Sequence, residues 1–210
     1  MIVPVLYEDD DIIALDKPAG ISSIPERDRS AESLLSILEK QTSQKLFIVH
    51  RLDKEVSGVM LFARTAAAHK RLNEAFFTRN VRKTYIALAH GEISVDKGEI
   101  DVPIRQFGSG RMGVDKNDGK PSLTRFEVLK RSADRTLLHA FPVTGRRHQI
   151  RVHLYHIGHP VAGDRLYGDK ILQKNWPRLM LHAERTEFSA SSGKEISVVS
   201  KIPKEFSCFF

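Results

Sequence analysis

Short strand-like segments in neighbouring pairs constrain the fold of this chain more than any other feature of its sequence. Alternating or continuous apolar patterns predict strands at residues 3–7, 12–16, 59–63, 83–89, 100–103, 123–129, 136–143, 187–190 and 196–199. Three helices are predicted: from Ser30 or Ser33 to about Lys40, over residues 66–78 after a Thr65 cap, and from after Gly145 to about Ile157. Because strands outnumber helices and do not alternate strictly with them, we expect an α+β fold with a mainly antiparallel, mixed β-sheet flanked by helices.

Two familiar nucleotide-binding patterns are absent from the sequence. Neither a GxGxxG fingerprint nor a GxxxxGK[ST] loop occurs, so no dinucleotide or nucleoside-triphosphate cofactor is expected. The glycine-containing stretch 107–120, with its Gly-Ser-Gly tip, predicts an exposed, mobile hairpin or loop rather than a phosphate-binding loop.

The composition indicates one globular domain over residues 1–210 in a reducing compartment. Hydrophobic residues make up 41% of the chain, which suffices for a core. The lone cysteine, Cys208, excludes an intrachain disulfide. The acidic opening stretch does not resemble a signal peptide, and no apolar run approaches the ~18–20 residues of a membrane span. We therefore expect a cytoplasmic protein without a membrane segment, and nothing in the sequence demands more than a monomer.

An excess of positive charge favours a polyanionic partner. Lysine and arginine number 33 against 26 aspartate and glutamate residues, a formal net charge of +7. Basic surfaces bind nucleic acids because lysine and arginine replace the counterions of phosphates. Charge alone leaves this open, because many basic proteins bind no nucleic acid.

The densest polar cluster is HRLD at residues 50–53, just before a predicted buried strand. In an extended segment, Arg51 and Asp53 would lie on one side, where the cation could keep the carboxylate ionised. The alternative is an ordinary surface ion pair in a loop, which contributes little energy.

A second cluster is TGRRHQIRVH at residues 144–153. On a helix, His148, Arg151 and Tyr155 would share one polar face suited to phosphate recognition, and the alternative is a solvated helix face. The histidines of this region have spacings of five, three and three residues, with no acidic residue among them, which fits a metal site poorly. No metal is expected.

Tyr85 lies in a predicted strand among basic residues. Such a tyrosine can stack on a nucleobase, or it can be a half-buried strand residue with its hydroxyl at the rim.

Taken together, these segments resemble the RluA family of RNA pseudouridine synthases. The resemblance extends from about residue 5 to residue 200, and its motifs occur in the family's order. They are DKPAG at 16–20, HRLD at 50–53 with SG at 57–58, KTYIA at 83–87, TGRRHQIRVH at 144–153, GHPVAGD at 158–164 and LMLHA at 179–183.

The resemblance implies a pseudouridine synthase fold with a central RNA-binding cleft, and an isomerase acting on uridine in rRNA, tRNA or both without a cofactor. By position, the catalytic aspartate is Asp53, the active-site tyrosine is Tyr85, and Arg151 is the arginine that pairs with Asp53. This replaces Arg51 as the expected ion-pair partner. The residues expected to contact RNA are Arg51, Lys17, Lys83, Arg146, Arg147 and His148.

Two positions depart from the family pattern, and one further domain is missing from the expected layout. Val56 stands where threonine is usual, and Arg147 stands where threonine or serine is frequent. No S4 RNA-binding domain precedes the motifs, so docking on RNA is expected to use the basic surface of the catalytic domain itself. A catalytically silent RNA-binding module on the same fold is the alternative. A glycoside or nucleoside hydrolase would need two carboxylates flanking one bond, and the motifs offer one that fits.

Overall fold

A computed structural model describes residues 1–26 and 31–207 of the chain, without the Ser207 side chain. Ser30 and Cys208, which figure in the sequence predictions, lie outside these residues. The strands are β1 (Val5–Glu8), β2 (Ile12–Lys17), β3 (Phe47–Ile48), β4 (Ser57–Ala63), β5 (Arg82–His90), β6 (Lys97–Asp101), β7 (Ile104–Gln106), β8 (Met112–Val114), β9 (Leu123–Ser132), β10 (Arg135–Pro142), β11 (Leu181–Ser189) and β12 (Glu195–Val199). The helices are α1 (Leu34–Thr42), α2 (Ala66–Phe77), α3 (Gln149–His156), α4 (Lys170–Lys174) and α5 (Lys204–Ser207). No helix within the described ranges is both long and apolar enough to cross a bilayer.

Two compact units make up the chain, and the first, Met1–Lys83 with Ala183–Lys201, is built around β4. Every residue of β4 is buried, as its uninterrupted apolar sequence predicts for a strand covered on both faces. Strand β2 pairs antiparallel with β4, β1 with β2, and β12 with β11. Helix α2 packs Ala68 and Leu72 into the core that includes Leu61 and Phe188.

Both helices of this unit begin at the caps expected from the sequence. The Ser33 hydroxyl accepts the Ser36 N–H at 3.2 Å, and the Thr65 hydroxyl accepts the Ala68 N–H at 3.1 Å. Each bond satisfies one of the amide groups that a first helical turn leaves without a partner. The predicted starts at Ser33 and Thr65 are therefore confirmed.

Gly58 allows β4 to approach β11 closely, and its replacement is expected to be costly. Its φ is +111°, and a Cβ at this position would lie 2.1 Å from the Ala183 carbonyl oxygen. We expect Gly58→Ala to lower the free energy of unfolding by about 2–4 kcal/mol, through backbone strain and overpacking. The matched control is Gly20→Ala, where φ is +88° but no atom lies within 4 Å, and about 1 kcal/mol is expected. Urea denaturation of both variants measures the difference, and equal losses would contradict the close approach.

The second unit, Thr84–His182 with the residues from Ile202 onwards, contains an antiparallel arrangement of β5, β10, β9 and β6 in that order. A separate hairpin joins β7 to β8. The segment after α3 runs beside β5, where the Ala162 N–H donates to the Leu88 carbonyl at 2.8 Å. The predicted α+β class with mainly antiparallel pairing is confirmed.

Three details of the structure correct the sequence predictions. Helix α3 begins at Gln149 rather than just after Gly145, because His148 has a left-handed backbone with φ 55°. Residues Gln149 to Leu154 are all buried, so the expected solvent-facing cationic side of this helix is wrong. The 107–120 stretch includes the turn and second strand of the β7–β8 hairpin and is mostly exposed, as predicted, although Met112 of β8 packs into a small cluster with Tyr167. Strand β11 begins at Leu181, six residues before its predicted start.

Candidate active site

The backbone around Asp53 is fixed from both sides, while its carboxylate remains half-buried. The Ser23 hydroxyl donates to the Leu52 carbonyl at 2.7 Å and accepts the Leu52 N–H at 3.2 Å. The Val56 N–H donates to the Asp53 carbonyl at 3.1 Å and closes a turn. A partly exposed acid on a braced loop can be reached by a substrate and still keep its position.

Lys17 corrects one of the RNA-contact predictions. Its side chain is fully buried, and its ammonium group donates to the carbonyls of Val56 at 2.7 Å, Lys54 at 3.1 Å and Pro18 at 3.1 Å. A buried ammonium group with these partners cannot neutralise a phosphate at the surface. Its place is to brace the loop that carries Asp53.

Val56, the departure from the family pattern, does not leave this loop unsupported. Its side chain is 2% exposed, so it packs as a core residue. Its carbonyl accepts from Lys17, and its N–H donates to Asp53. The backbone of residue 56 and Lys17 therefore supply bracing that does not depend on a hydroxyl at this position.

His50, the first residue of the HRLD motif, is held as a neutral ring. Its Nε2 accepts the Leu61 N–H at 2.9 Å, which requires an unprotonated nitrogen, and its ring stacks on Phe76 with centroids 4.9 Å apart. Burial, with a smaller contribution from the nearby Lys83 ammonium group, lowers the pKa of His50 to about 3. Burial also lowers the pKa of Lys83 to about 8. His50 thus joins the HRLD loop to β4 and is not placed as a proton donor.

The lowered pKa of His50 predicts a loss of stability in acid. Between pH 6.5 and about 3 the unfolded chain binds a proton at this ring and the folded chain does not, so the free energy of unfolding falls as the pH falls. His50 contributes at most about 1.4 kcal/mol per pH unit to the slope of the free energy of unfolding against pH. In His50→Gln this contribution should be absent between pH 5.5 and 4. Urea denaturation at pH 7, 5.5 and 4 compares the two slopes, and identical slopes would show that the ring is not held neutral.

Arg151, expected to act in catalysis, is buried on α3 and bound to a carboxylate. Its Nε donates to Asp164 Oδ2 at 2.7 Å and its Nη2 to Asp164 Oδ1 at 2.8 Å. The Tyr167 ring lies 5.2 Å from the guanidinium carbon. Because an arginine side chain has five N–H donors, this bidentate bond leaves it able to bind a second carboxylate as well.

Asp164 is itself fixed by backbone and side-chain bonds. Its Oδ1 accepts the N–H groups of Leu166 at 2.9 Å and Tyr167 at 3.1 Å. The adjacent Gly163 has φ +76°, and a Cβ there would lie 1.9 Å from the Arg178 carbonyl oxygen. These contacts hold the turn that carries Asp164, and Asp164 in turn orients Arg151.

Three polar residues of the TGRRHQIRVH motif, Thr144, Gln149 and His153, anchor α3. The Thr144 hydroxyl donates to Gln149 Oε1 at 2.6 Å, and Gln149 Nε2 donates to the Thr124 hydroxyl at 3.0 Å. Both ring nitrogens of the buried His153 have partners, the Thr124 hydroxyl at 2.9 Å and the Val102 carbonyl at 3.1 Å. Burial lowers the pKa of His153 to about 4. Within residues 1–26 and 31–207, no group of three or more His, Cys, Asp or Glu side chains could hold a metal ion.

The remaining predicted site residues divide between the two units. Arg51 is exposed and Lys83 is half-buried, and both belong to the first unit with Asp53. In the second unit Tyr85 is half-buried on β5, opposite Ala140 of β10. Three further residues of this unit precede or cap α3: Arg146 and Arg147, which are exposed, and His148, whose Nδ1 lies 2.9 Å from the Tyr167 hydroxyl.

Comparison with known proteins identifies the family of the chain. The model of the RNA pseudouridylate synthase family matches residues 11–156. The chain belongs to this family. It is 38% identical to the dual-specificity RNA pseudouridine synthase RluA of Escherichia coli K12 over 86% of this chain and 84% of that protein. It is 36% identical to an uncharacterised RNA pseudouridine synthase of Zymomonas mobilis over 96% and 94% of the two chains.

A solved structure shows that this pseudouridine synthase has the fold of its family. The human RNA pseudouridylate synthase domain containing 1 superposes with a TM-score of 0.82 at 28% identity, covering 95% of this chain and 83% of that one. The family resemblance and the pseudouridine synthase fold expected from the sequence motifs are thus confirmed. The protein is accordingly an isomerase by family.

Asp164 and Tyr167 are the residues that sequence reasoning missed. Asp164 ends the GHPVAGD motif, which carries part of the family resemblance but does not by itself indicate a role for the acid. A lone acidic residue in an otherwise apolar and glycine-rich motif was the available signal, since an acid is buried only with a partner. Nothing in the local sequence identified Arg151 as that partner.

Proposed function

We propose that this protein converts uridine in RNA to pseudouridine with Asp53 as the catalytic carboxylate. The reaction breaks the bond between ribose C1′ and uracil N1, turns the base and joins C1′ to C5, with release of the C5 hydrogen as a proton and uptake of a proton at N1. No electron or foreign atom enters, so we propose that no cofactor takes part. The observation that carries the proposal is the half-buried Asp53 on a loop braced by Lys17 and Ser23, in a chain that belongs to the pseudouridylate synthase family.

Asp53 would act as nucleophile or base at the sugar, which requires the ionised form. The family resemblance gives Arg151 as the cation that keeps it ionised, and this pairing stays part of the proposal. Tyr85 would stack on the uracil and assist proton movement at C5. The two hydrogen bonds that Arg151 donates to Asp164 support the proposed role of Arg151, because they fix the orientation of its guanidinium group.

RNA would be held by Arg51, Lys83, Arg146, Arg147 and His148. The exposure of the three arginines and the formal net charge of +7 support this assignment. The free energy of RNA binding has to offset the cost of extruding the target uridine, which is a few kcal/mol and is lower where that uridine already lies in a loop.

The proposed substrates are rRNA, tRNA or both, since the RluA relatives are named dual-specificity enzymes and another relative is a ribosomal large subunit pseudouridine synthase. We also propose that the protein is a cytoplasmic monomer without a membrane partner and that residues 1–210 act as one catalytic domain.

The direct assay uses purified protein and transcripts labelled with tritium at uracil C5. Incubation with tRNA and 23S rRNA transcripts should release tritium to water in step with the appearance of pseudouridine by mass spectrometry. Release from neither substrate class, with correctly folded protein, would contradict the proposal.

The alternative is a catalytically silent RNA-binding module on the same fold. It predicts RNA binding without tritium release. The presence of Asp53, Tyr85 and Arg151 together favours the enzyme, because a binding module has no need for a catalytic carboxylate.

A further inference from the structure

A cavity of about 530 Å³ lies between the β7–β8 hairpin and α3, within the second unit. Its wall includes three aromatic rings, those of Phe107, Tyr155 and Tyr167, and the basic side chains of Arg111 and His156. Among the described residues that line it, none is acidic. None of the site residues named above, apart from Tyr167, lines this cavity.

Two of the aromatic rings are unusually exposed for their size. Phe107 is 39% exposed and Tyr155 is 46% exposed. The Arg105 guanidinium lies 5.0 Å from the centre of the Phe107 ring and is bound by Asp118 at 2.6 Å and Asp115 at 3.3 Å. Phe107 is therefore supported from its own hairpin, as a platform for stacking requires, rather than packed into a core.

Arg111 brings an uncompensated positive charge to the same cavity. Its guanidinium lies 5.0 Å from the Tyr167 ring centre and 5.9 Å from that of Tyr155. Within the described part of the chain, no carboxylate forms an ion pair with Arg111, whereas Asp115 and Asp118 bind Arg105. A cation held on aromatic faces without an acid is available to an anionic ligand.

We propose that this cavity binds one nucleotide of the RNA substrate next to the target uridine, with its base stacked on Phe107 or Tyr155 and its phosphate on Arg111. Aromatic rings beside arginine bind unpaired nucleotides irrespective of sequence. An apolar peptide would leave Arg111 without a partner, and an acidic peptide would not use the exposed rings. This inference rests on the proposed function. Tyr167 joins the cavity to Arg151, which places the bound nucleotide beside a group proposed for catalysis.

The test compares Phe107→Ala and Tyr155→Ala with Phe77→Ala, in which an 88% exposed phenylalanine on α2 in the other unit is removed. The probe is the transcript that the wild-type enzyme converts. Each cavity variant should raise KM about tenfold with kcat within about twofold, because it weakens binding of a nucleotide that does not react. Phe77→Ala should match the wild type. Unchanged KM values, or a fall in kcat alone, would overturn the proposal.

The salt dependence of RNA binding tests whether Arg111 contacts a phosphate, because a merely structural role of Arg111 would leave this dependence unchanged. In Arg111→Gln the slope of log affinity for the same RNA against log salt concentration should decrease by about 0.7, the contribution of one phosphate contact on a single strand. Arg111→Lys should restore the slope. An unchanged slope in Arg111→Gln would exclude the phosphate contact.

A further experiment tests the cavity even if the proposed enzymatic function is wrong. If the wild type converts no transcript, the cavity is tested by photo-crosslinking to a single-stranded RNA that contains 4-thiouridine. Crosslinks on peptides carrying Phe107 or Tyr155, lost in their alanine variants, would support the cavity as an RNA site. Crosslinks confined to other peptides would overturn it.

Discussion

Replacing Asp53 by asparagine is expected to lower pseudouridine formation by at least about 10⁴-fold, the loss typical of a removed nucleophile or base. The amide keeps nearly the same shape, so the loop braced by Ser23 and Lys17 should remain folded. Affinity for RNA should stay within about threefold, since phosphate contacts supply most of the binding and Asp53 makes none in the proposal. Single-turnover tritium release and filter binding measure the two quantities.

Glu55→Gln is the matched control for this substitution. Glu55 is exposed and lies in the same loop, two residues from Asp53, so this variant removes the same charge without touching the proposed chemistry. Its activity should stay within about threefold of the wild type. Substantial activity in Asp53→Asn, or an equal loss in Glu55→Gln, would exclude Asp53 as the catalytic carboxylate.

Removing the carboxylate of Asp164 is expected to produce the largest loss of stability. Asp164→Ala removes the carboxylate that binds the buried Arg151 at 2.7 and 2.8 Å, and breaking a buried ion pair by removing one partner costs about 3–5 kcal/mol. Asp118→Ala, which breaks the exposed pair with Arg105, should cost no more than about 1 kcal/mol. Urea denaturation gives both values, and similar losses would show that burial does not set the strength of the Arg151 pair.

A double variant separates stability from catalysis at this pair. Replacing both partners with apolar residues, as in Arg151→Met with Asp164→Leu, leaves neither member of the buried pair without the other and should recover much of the lost stability. Activity should not recover, because the proposed role of Arg151 needs its charge. A stable double variant with wild-type activity would make the pair purely structural.

Sequence patterns within a few neighbouring residues were sufficient to predict much of the fold. Ser33 and Thr65 marked helix starts because a hydroxyl followed by an apolar periodic segment satisfies amide groups close in sequence. The continuous apolar run of β4 marked a buried strand for a similarly local reason. Such features depend on neighbours within a few residues, which a single sequence displays directly.

Partners distant in sequence explain where the sequence analysis was wrong. Lys17 looked like a surface cation, and only the carbonyls of Lys54 and Val56 make it a buried brace. The start of α3 depends on bonds from Gln149 to strand β9, so the helix begins later than periodicity predicts. The role of Asp164 needed Arg151, thirteen positions earlier and on another element.

The central claim, that this chain makes pseudouridine with the carboxylate of residue 53, is tested most directly in cells. Pseudouridine is mapped across rRNA and tRNA in a strain lacking the gene and in the same strain complemented with the wild type or with Asp53→Asn. The account predicts one or more sites that vanish on deletion, return with the wild type and stay absent with Asp53→Asn. Identical maps in all strains, or sites restored by Asp53→Asn, would contradict it.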